Sequence, residues 1–201
     1  MLIRTTGSER AAVPRRLVVG ISGASGAPIA IELLQEMKNF PEWETHVVIS
    51  SAAEYTIKSE TDYSLAEVQE LATKVYSPQD IGGAIASGTY KTDGMVVVPC
   101  SMKTLAAIAN GHADNLLARA ADVTIKEQRK LVLVTREAPL SPIHLNNMLT
   151  LARLGIVILP PVLTFYNQAT TVADMVRHIV GKILGNFGLD IAGFKRWGED
   201  Q

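Results

Sequence analysis

Leu17-Val18-Val19-Gly20-Ile21-Ser22-Gly23-Ala24-Ser25-Gly26-Ala27-Pro28 is the stretch that decides the fold. An apolar run over 17–21 ends in glycine, alanine and serine, and Pro28 then opens a pattern with apolar residues at Ile31, Leu34 and Met37. A strand without polar alternation is one buried on both faces, as in a parallel sheet. Its passage through glycines into an amphipathic helix is the opening move of an α/β domain. Proline suits the first turn of that helix, where an N–H has no partner to lose.

Outward from this stretch the same alternation repeats. Short apolar runs at 46–49 (HVVI), 95–98 (MVVV), 131–134 (LVLV) and 156–159 (IVIL) read as four further strands, with Pro99 stopping the run at 95–98. Helices are expected over 51–58, 65–72, 102–109, 114–127 and 142–154. A last helix over 172–187 carries Val172, Met175, Val176, Ile179, Val180, Ile183, Leu184 and Phe187 on one stripe, which packs on a sheet. The expected architecture is a three-layer α/β/α, Rossmann-like (flavodoxin-like) domain with a mostly parallel sheet. Ligands then belong at the carboxyl ends of the strands.

The chain of 201 residues is one domain's worth, and 47% hydrophobic against 19% charged residues excludes a disordered polymer. Residues 1–15 read as a flexible N-terminal tail and 16–201 as a single domain, with no repeat, low-complexity tract or linker. No apolar run is long enough for a secretory signal or a membrane span. The net charge of −1 offers no electrostatic footprint for nucleic acid or an anionic membrane. A single cysteine, Cys100, forbids an intrachain disulfide and a CxxC metal site, and the four histidines are too dispersed for a local zinc motif. A reducing cytoplasm fits, and no metal is expected.

In the first loop the glycines run G-x-x-G-x-x-G, at Gly20, Gly23 and Gly26. Small residues let backbone amides approach an anion at the helix start, so the loop argues for a phosphate without dictating a dinucleotide. A tight turn with no ligand is the other reading, and the GxxxxGK[ST] phosphate loop is absent. The second loop, Pro99-Cys100-Ser101-Met102-Lys103-Thr104, neighbours the first in a parallel sheet. Two hydroxyl-bearing loops side by side suit a mononucleotide such as FMN, although Ser101 and Thr104 serve equally as helix caps. Cys100 reads as a small buried residue. Arg119, Asp122 and Lys126 recur at helical intervals and gather two cations near one face, which is also what a solvated face looks like. Arg136 and Glu137 follow a central strand, where catalysis sits in such sheets, and His144 reads as a hydrogen bonder at a helix start.

Longer motifs, in order, are GASGA at 23–27, SETDY at 59–63, PCSMKTLAAIANG at 99–111, NLLARAADVTIKE at 115–127, LVLVTREAPLSPIHLNNM at 131–148, ILPPVLTFYNQ at 158–168 and RWGE at 196–199. Together they resemble the UbiX/Pad1 flavin prenyltransferases over 16–199, in particular the small B subunit found with hydroxyarylic acid decarboxylases. The resemblance implies an enzyme that joins a dimethylallyl group from dimethylallyl phosphate to N5 and C6 of reduced FMN, with the diphosphate left open as donor. It implies prenylated FMN as a product handed to a UbiD-type decarboxylase, a homo-dodecamer with sites at subunit contacts, and no metal. It puts FMN on Gly23, Ala24, Ser25, Ser50, Ser101, Met102, Lys103, Thr104 and Arg136. It puts the donor's phosphate on Arg119, Lys126, Tyr166 and Lys182, drawn from more than one subunit. Ser25, Glu60, Lys126 and Glu137 become the catalytic set, with Glu60 acting from a neighbouring subunit. Lys182 departs from the family's best-known members, which carry arginine there; charge is kept and bidentate geometry lost.

Two other readings share the architecture. An FMN-dependent cysteine decarboxylase would carry a PASANT-like segment, which this sequence lacks. A non-catalytic flavin carrier would have no use for a second cluster of cations.

Overall fold

The architecture follows from where unbroken apolar runs fall, and a computed structural model describes it for residues 14–198. The elements in order are β1 (Arg15–Ile21), α1 (Ala27–Met37), β2 (Trp43–Ile49), α2 (Ser51–Glu60), α3 (Leu65–Glu70), β3 (Lys74–Tyr76), β4 (Gly94–Cys100), α4 (Met102–Ala109), α5 (Leu116–Lys126), β5 (Lys130–Thr135), α6 (Pro142–Arg153), β6 (Val157–Ile158) and α7 (Val172–Gly185). A 3-10 turn at Ala84–Ala86 precedes β4. The six strands lie in the order β3-β2-β1-β4-β5-β6, and every pairing is parallel. Without the three-residue edge strand β3, this is the flavodoxin-like order; with it, the Rossmann order.

Three expectations need correction. The sheet has six strands among the described residues, where five apolar runs were legible. The extra one, β3, is Lys-Val-Tyr with only Tyr76 buried, too short and too polar at its start to register as a run. Pro99 does not stop its strand: β4 continues to Cys100, and the pairing with β5 shifts between Val97 and Cys100, where proline has no N–H to give. The Val98–Pro99 peptide is cis. Finally, Arg15 already belongs to β1, in register with Trp43, so the expected tail is shorter by at least that residue; its residues 1–13 lie outside the described ones.

Strand alternation builds two cores. Leu17, Val19 and Ile21 of β1, with Val96, Val98, Val132 and Val134, face α1 and α7. Val18, Met95, Val97, Leu131 and Leu133 face the other way, onto α4, α5 and α6. Gly20 sits on the second face, where a Cβ would meet Leu117 Cγ at 2.9 Å, so glycine sets how closely α5 can lie on β1.

Beside β3 the sheet carries a buried polar network. His46, 2% exposed, has Nδ1 2.8 Å from Tyr76 Oη and Nε2 3.3 Å from Glu44 Oε2. Arg16 Nε donates to the same carboxylate oxygen at 2.8 Å, and its guanidinium lies 4.7 Å from the centre of the Tyr90 ring. Burial holds the His46 pKa below its ordinary value of 6.5, and the Arg16 hydrogen bond holds Glu44 below 4.5. A histidine kept neutral by the fold contributes stability above 6.5 that is lost as pH falls toward its folded value. A carboxylate kept charged contributes stability that is lost below 4.5; both effects favour the fold at neutral over acid pH.

The urea midpoint is therefore expected to fall steadily as pH is lowered from 7 to 5. His46→Gln, which cannot take up a proton in that window, should lose part of that slope; an unchanged slope would mean that the network does not sense acid.

Candidate active site

Strand order reverses between β1 and β4, so their carboxyl ends diverge into a crevice. Ser22 stitches the two sides together. Its Oγ, in a residue 1% exposed, donates to the Pro99 carbonyl at 2.8 Å and accepts from the Ser101 N–H at 2.8 Å. Gly23 follows, and a Cβ there would meet Ala52 Cβ at 2.2 Å, so only glycine allows α2 to start against this loop. Gly26 takes φ 123° at the head of α1 and has no side-chain cap of its own. Glu60 supplies the cap from the end of α2: its Oε2 accepts from Gly26 N at 2.8 Å and Ala27 N at 3.0 Å. A carboxylate at a helix N-terminus is favourably placed against the helix dipole.

A cleft of about 640 Å³ opens at these strand ends, walled by Gly23, Ser50, Ser101, Lys103, Thr104 and Leu117 among others. Three helices begin on it. Ser50 accepts from Ala53 N at 3.2 Å at the start of α2, Ser101 from Thr104 N at 3.2 Å at α4, and Asn115 from Ala118 N at 3.0 Å at α5. Converging N-termini, hydroxyls and Lys103 offer an anion a positive end, while Ala106, Ala107 and Leu117 offer an apolar wall. A phosphate ester carrying a flat ring system, as FMN does, fits this donor set.

Of the residues expected at the flavin, Gly23, Ser50, Ser101, Lys103 and Thr104 line the cleft. Ala24 and Ser25 continue its first loop, and Met102 packs against the second core. Arg136 starts beside the cleft, its N–H donating to the Cys100 carbonyl at 3.1 Å. The adjacent Glu137 is exposed, with Oε1 accepting from Ala138 N at 3.0 Å. Ser101 is a helix cap as well as a wall residue. Cys100 is wholly buried and its thiol is pushed up to about 12 by burial, so it is no nucleophile. His144 closes a capping box with Ser141 at the head of α6, as the sequence suggested.

The residues expected at the donor are not brought together within one chain. Arg119 pairs with Asp122 at 2.5 Å in the first half of α5, and Lys126 pairs with Glu127 at its end. Lys126 lies about 12 Å along the helix axis from Ala118, which lines the cleft. Lys182 lies on α7, which packs on the opposite face of the sheet, and Tyr166 precedes α7 with its hydroxyl 3.3 Å from His178 Nε2 on that helix. Glu60, expected to act in a neighbour's site, already holds the glycine loop of its own chain. Ser22 and Asn115 were missed as site residues. Asn115 could have been found as a cap preceding an apolar helical run, whereas Ser22 is only one of several small residues.

Among the described residues no helix is long and apolar enough to cross a membrane, and no group of three His, Cys, Asp or Glu could hold a metal. The Flavoprotein family matches residues 5–188. A probable UbiX-like flavin prenyltransferase of Sedimentibacter hydroxybenzoicus is 53% identical over 182 residues, 90% of this chain and 96% of that one. The dodecameric FMN-dependent Ubix-like decarboxylase from Escherichia coli O157:H7 superimposes with a TM-score of 0.90 at 52% identity, over 90% of this chain and 98% of that one. AnUbiX (PadA1), in complex with FMN and dimethylallyl pyrophosphate, gives a TM-score of 0.90 at 49% identity, over 92% and 98%.

Removing the Glu60 carboxylate should weaken the head of α1 in the ligand-free protein. Glu60→Ala is expected to cost ~1–2 kcal/mol in urea denaturation, with Glu60→Gln recovering part of it through its amide oxygen. Unchanged stability in Glu60→Ala would show that the carboxylate does not hold the loop.

Proposed function

The chain belongs to the Flavoprotein family as a UbiX-like flavin prenyltransferase, and from that premise we propose how its residues divide the transfer of a dimethylallyl group from dimethylallyl phosphate to N5 and C6 of reduced FMN. The observation that carries this reading is the cleft at the β1/β4 switch point, on which three helix N-termini converge beside two loops joined through Ser22. Reduced FMN, when bound, supplies the nucleophilic positions. Gly23, Ala24, Ser25, Ser50, Ser101, Met102, Lys103, Thr104 and Arg136 hold it, with Ser25 positioning the flavin edge. The contribution of Met102 is indirect, through the start of α4.

Ionisation of the donor's C–O bond releases a phosphate anion, and cations and a phenol are the groups that stabilise it. Arg119, Lys126, Tyr166 and Lys182 take that role. Lysine at 182 acts as a point charge, leaving planar two-point contact to Arg119. Bonding at N5 leaves a double bond in the prenyl group, so closure at C6 adds a proton to that bond from the released, protonated phosphate and displaces one from C6, which Glu137 receives; Glu60 serves by holding the loop that carries Ser25. A water-poor cleft protects the allylic cation from capture.

Because α5 and α7 cover opposite faces of the sheet, a site using both must draw on more than one chain. Exposed apolar side chains agree with such an assembly: Ile143, Leu145 and Leu149 on α6, and Val162 and Phe165 before α7, are 48–75% exposed. A homo-dodecamer, like the E. coli relative, is the assembly we propose. The product then goes to a UbiD-type decarboxylase, and the work is done in a reducing cytoplasm.

Protein mixed anaerobically with reduced FMN and dimethylallyl phosphate should yield a flavin heavier by one dimethylallyl group; a cysteine decarboxylase or a carrier would yield none. Glu137→Gln should slow the reaction, and turnover at the wild-type rate would remove its proton role. Lys126→Ala and Lys182→Ala chains should each be impaired alone and regain activity when assembled together. Failure to regain it would mean that one chain supplies both groups.

A further inference from the structure

Tyr166 has a buried partner that none of the sequence motifs singles out. Its Oη lies 3.3 Å from Nε2 of His178, and the two rings meet edge to face with centroids 5.5 Å apart. His178 sits on α7, 5% exposed, one helical turn before Lys182. Its position is fixed from the other side by the Phe194 ring, 4.9 Å away between centroids. Phe194 itself seats on Gly181, where a Cβ would meet its Cδ2 at 2.3 Å. Beyond the imidazole lies a separate cavity of about 280 Å³, between α7, residues 167–170 and the segment at 191–195.

A phenol has a single hydrogen to give. Were Tyr166 to spend it on Nε2, its oxygen would face a phosphate anion with lone pairs only, which repels. With the hydrogen on Nε2, the imidazole donates to Oη and the phenolic O–H is left for the phosphate. Accepting one hydrogen bond also strengthens the hydroxyl as a donor of the next. We infer that His178 is a positioning residue, donating from Nε2 to Tyr166 Oη and thereby aiming the phenolic O–H at the donor's phosphate. The inference rests on the reading that Tyr166 contacts that phosphate.

The surroundings keep the ring neutral. Burial, and then the charge of Lys182, hold the His178 pKa below its ordinary value, so the ring is neutral with one hydrogen to place. The hydrogen bond made by one ring nitrogen decides where that hydrogen resides. Placed on Nε2, it leaves Nδ1 as an acceptor.

The test measures KM for dimethylallyl phosphate, kcat, and the dissociation constant of inorganic phosphate by calorimetry, all on the FMN-loaded assembled enzyme. His178→Phe should raise KM and the phosphate constant by about tenfold, with FMN affinity and assembly size unchanged. His178→Gln, whose amide nitrogen reaches the Nε2 position, should restore both; His178→Asn, which reaches only Nδ1, should not. In a Tyr166→Phe background His178→Phe should add nothing. The inference is overturned if His178→Phe leaves both constants unchanged, if its effect persists without the Tyr166 hydroxyl, or if asparagine restores as well as glutamine. The glutamine–asparagine comparison decides should the phenylalanine variant not fold. If Tyr166→Phe alone changes neither constant, the donor-site reading itself falls and takes the inference with it; a Tyr166→Phe effect without a His178→Phe effect overturns the inference alone.

Discussion

The hydroxyl of Ser22 holds the two halves of the cleft in register. β1 and β4 are neighbours whose chains leave in opposite directions, with the Ser22 N–H donating to the Pro99 carbonyl at 3.2 Å where the ladder ends. The Ser22 hydroxyl adds a second link, giving its hydrogen to the same carbonyl and a lone pair to the Ser101 N–H. Both partners lie at the end of β4, where the irregular pairing around Pro99 leaves the backbone in need of alternatives to the sheet. The serine thus satisfies buried backbone groups and sets the spacing of the two loops in one contact. The cap at Ser101, the start of α4 and the wall of the cleft all inherit that spacing.

Side-chain volume is the second constraint. Gly23 against Ala52 and Gly20 against Leu117 let two helices approach the end and the face of β1 more closely than any Cβ would allow. Close approach is what points their N-termini into one cleft, where the partial charges of α2, α4 and α5 add. Glu60 belongs to the same arrangement from the other side. The glycine that makes the turn at Gly26 cannot cap α1, and a carboxylate brought from the end of α2 caps it instead. Flexibility of the loop and its restraint therefore come from different parts of the sequence.

Local chemistry explains what could be read in the chain. The strands at 17–21, 95–98 and 131–134 announce themselves because both faces are buried and no polar residue interrupts them. The last helix was legible from its stripe, and the cleft at the strand ends from two short loops that directly follow strands. β3 was not, since at a sheet edge three residues with one buried side chain carry no pattern. Pro99 misled because proline normally ends a ladder, and only the shifted register beyond Val97 accommodates it. Ser22, Glu60 and His178 take their roles from partners 77–79, 33–34 and 12 residues away, respectively, distances over which spacing conveys nothing. The proposed donor set could be drawn up by resemblance but not by geometry, because α5 and α7, which carry its cations, lie on opposite faces of the sheet.

That division has an electrostatic side. In the single chain Arg119 is matched by Asp122 and Lys126 by Glu127, so neither cation is idle. Both pairs are partly exposed, and solvent screening keeps pairs of that kind weak. A phosphate carrying up to two charges, met in a cleft closed by a neighbouring chain, offers each cation a stronger partner with more acceptor oxygens. On the proposed division of roles, Asp122 and Glu127 are place-holders that keep the two cations ordered until the substrate displaces them. The flavin half needs no such exchange, since its positive ends are helix termini fixed by caps within one chain. On that proposal flavin binding is a property of the fold and donor binding a property of the assembly.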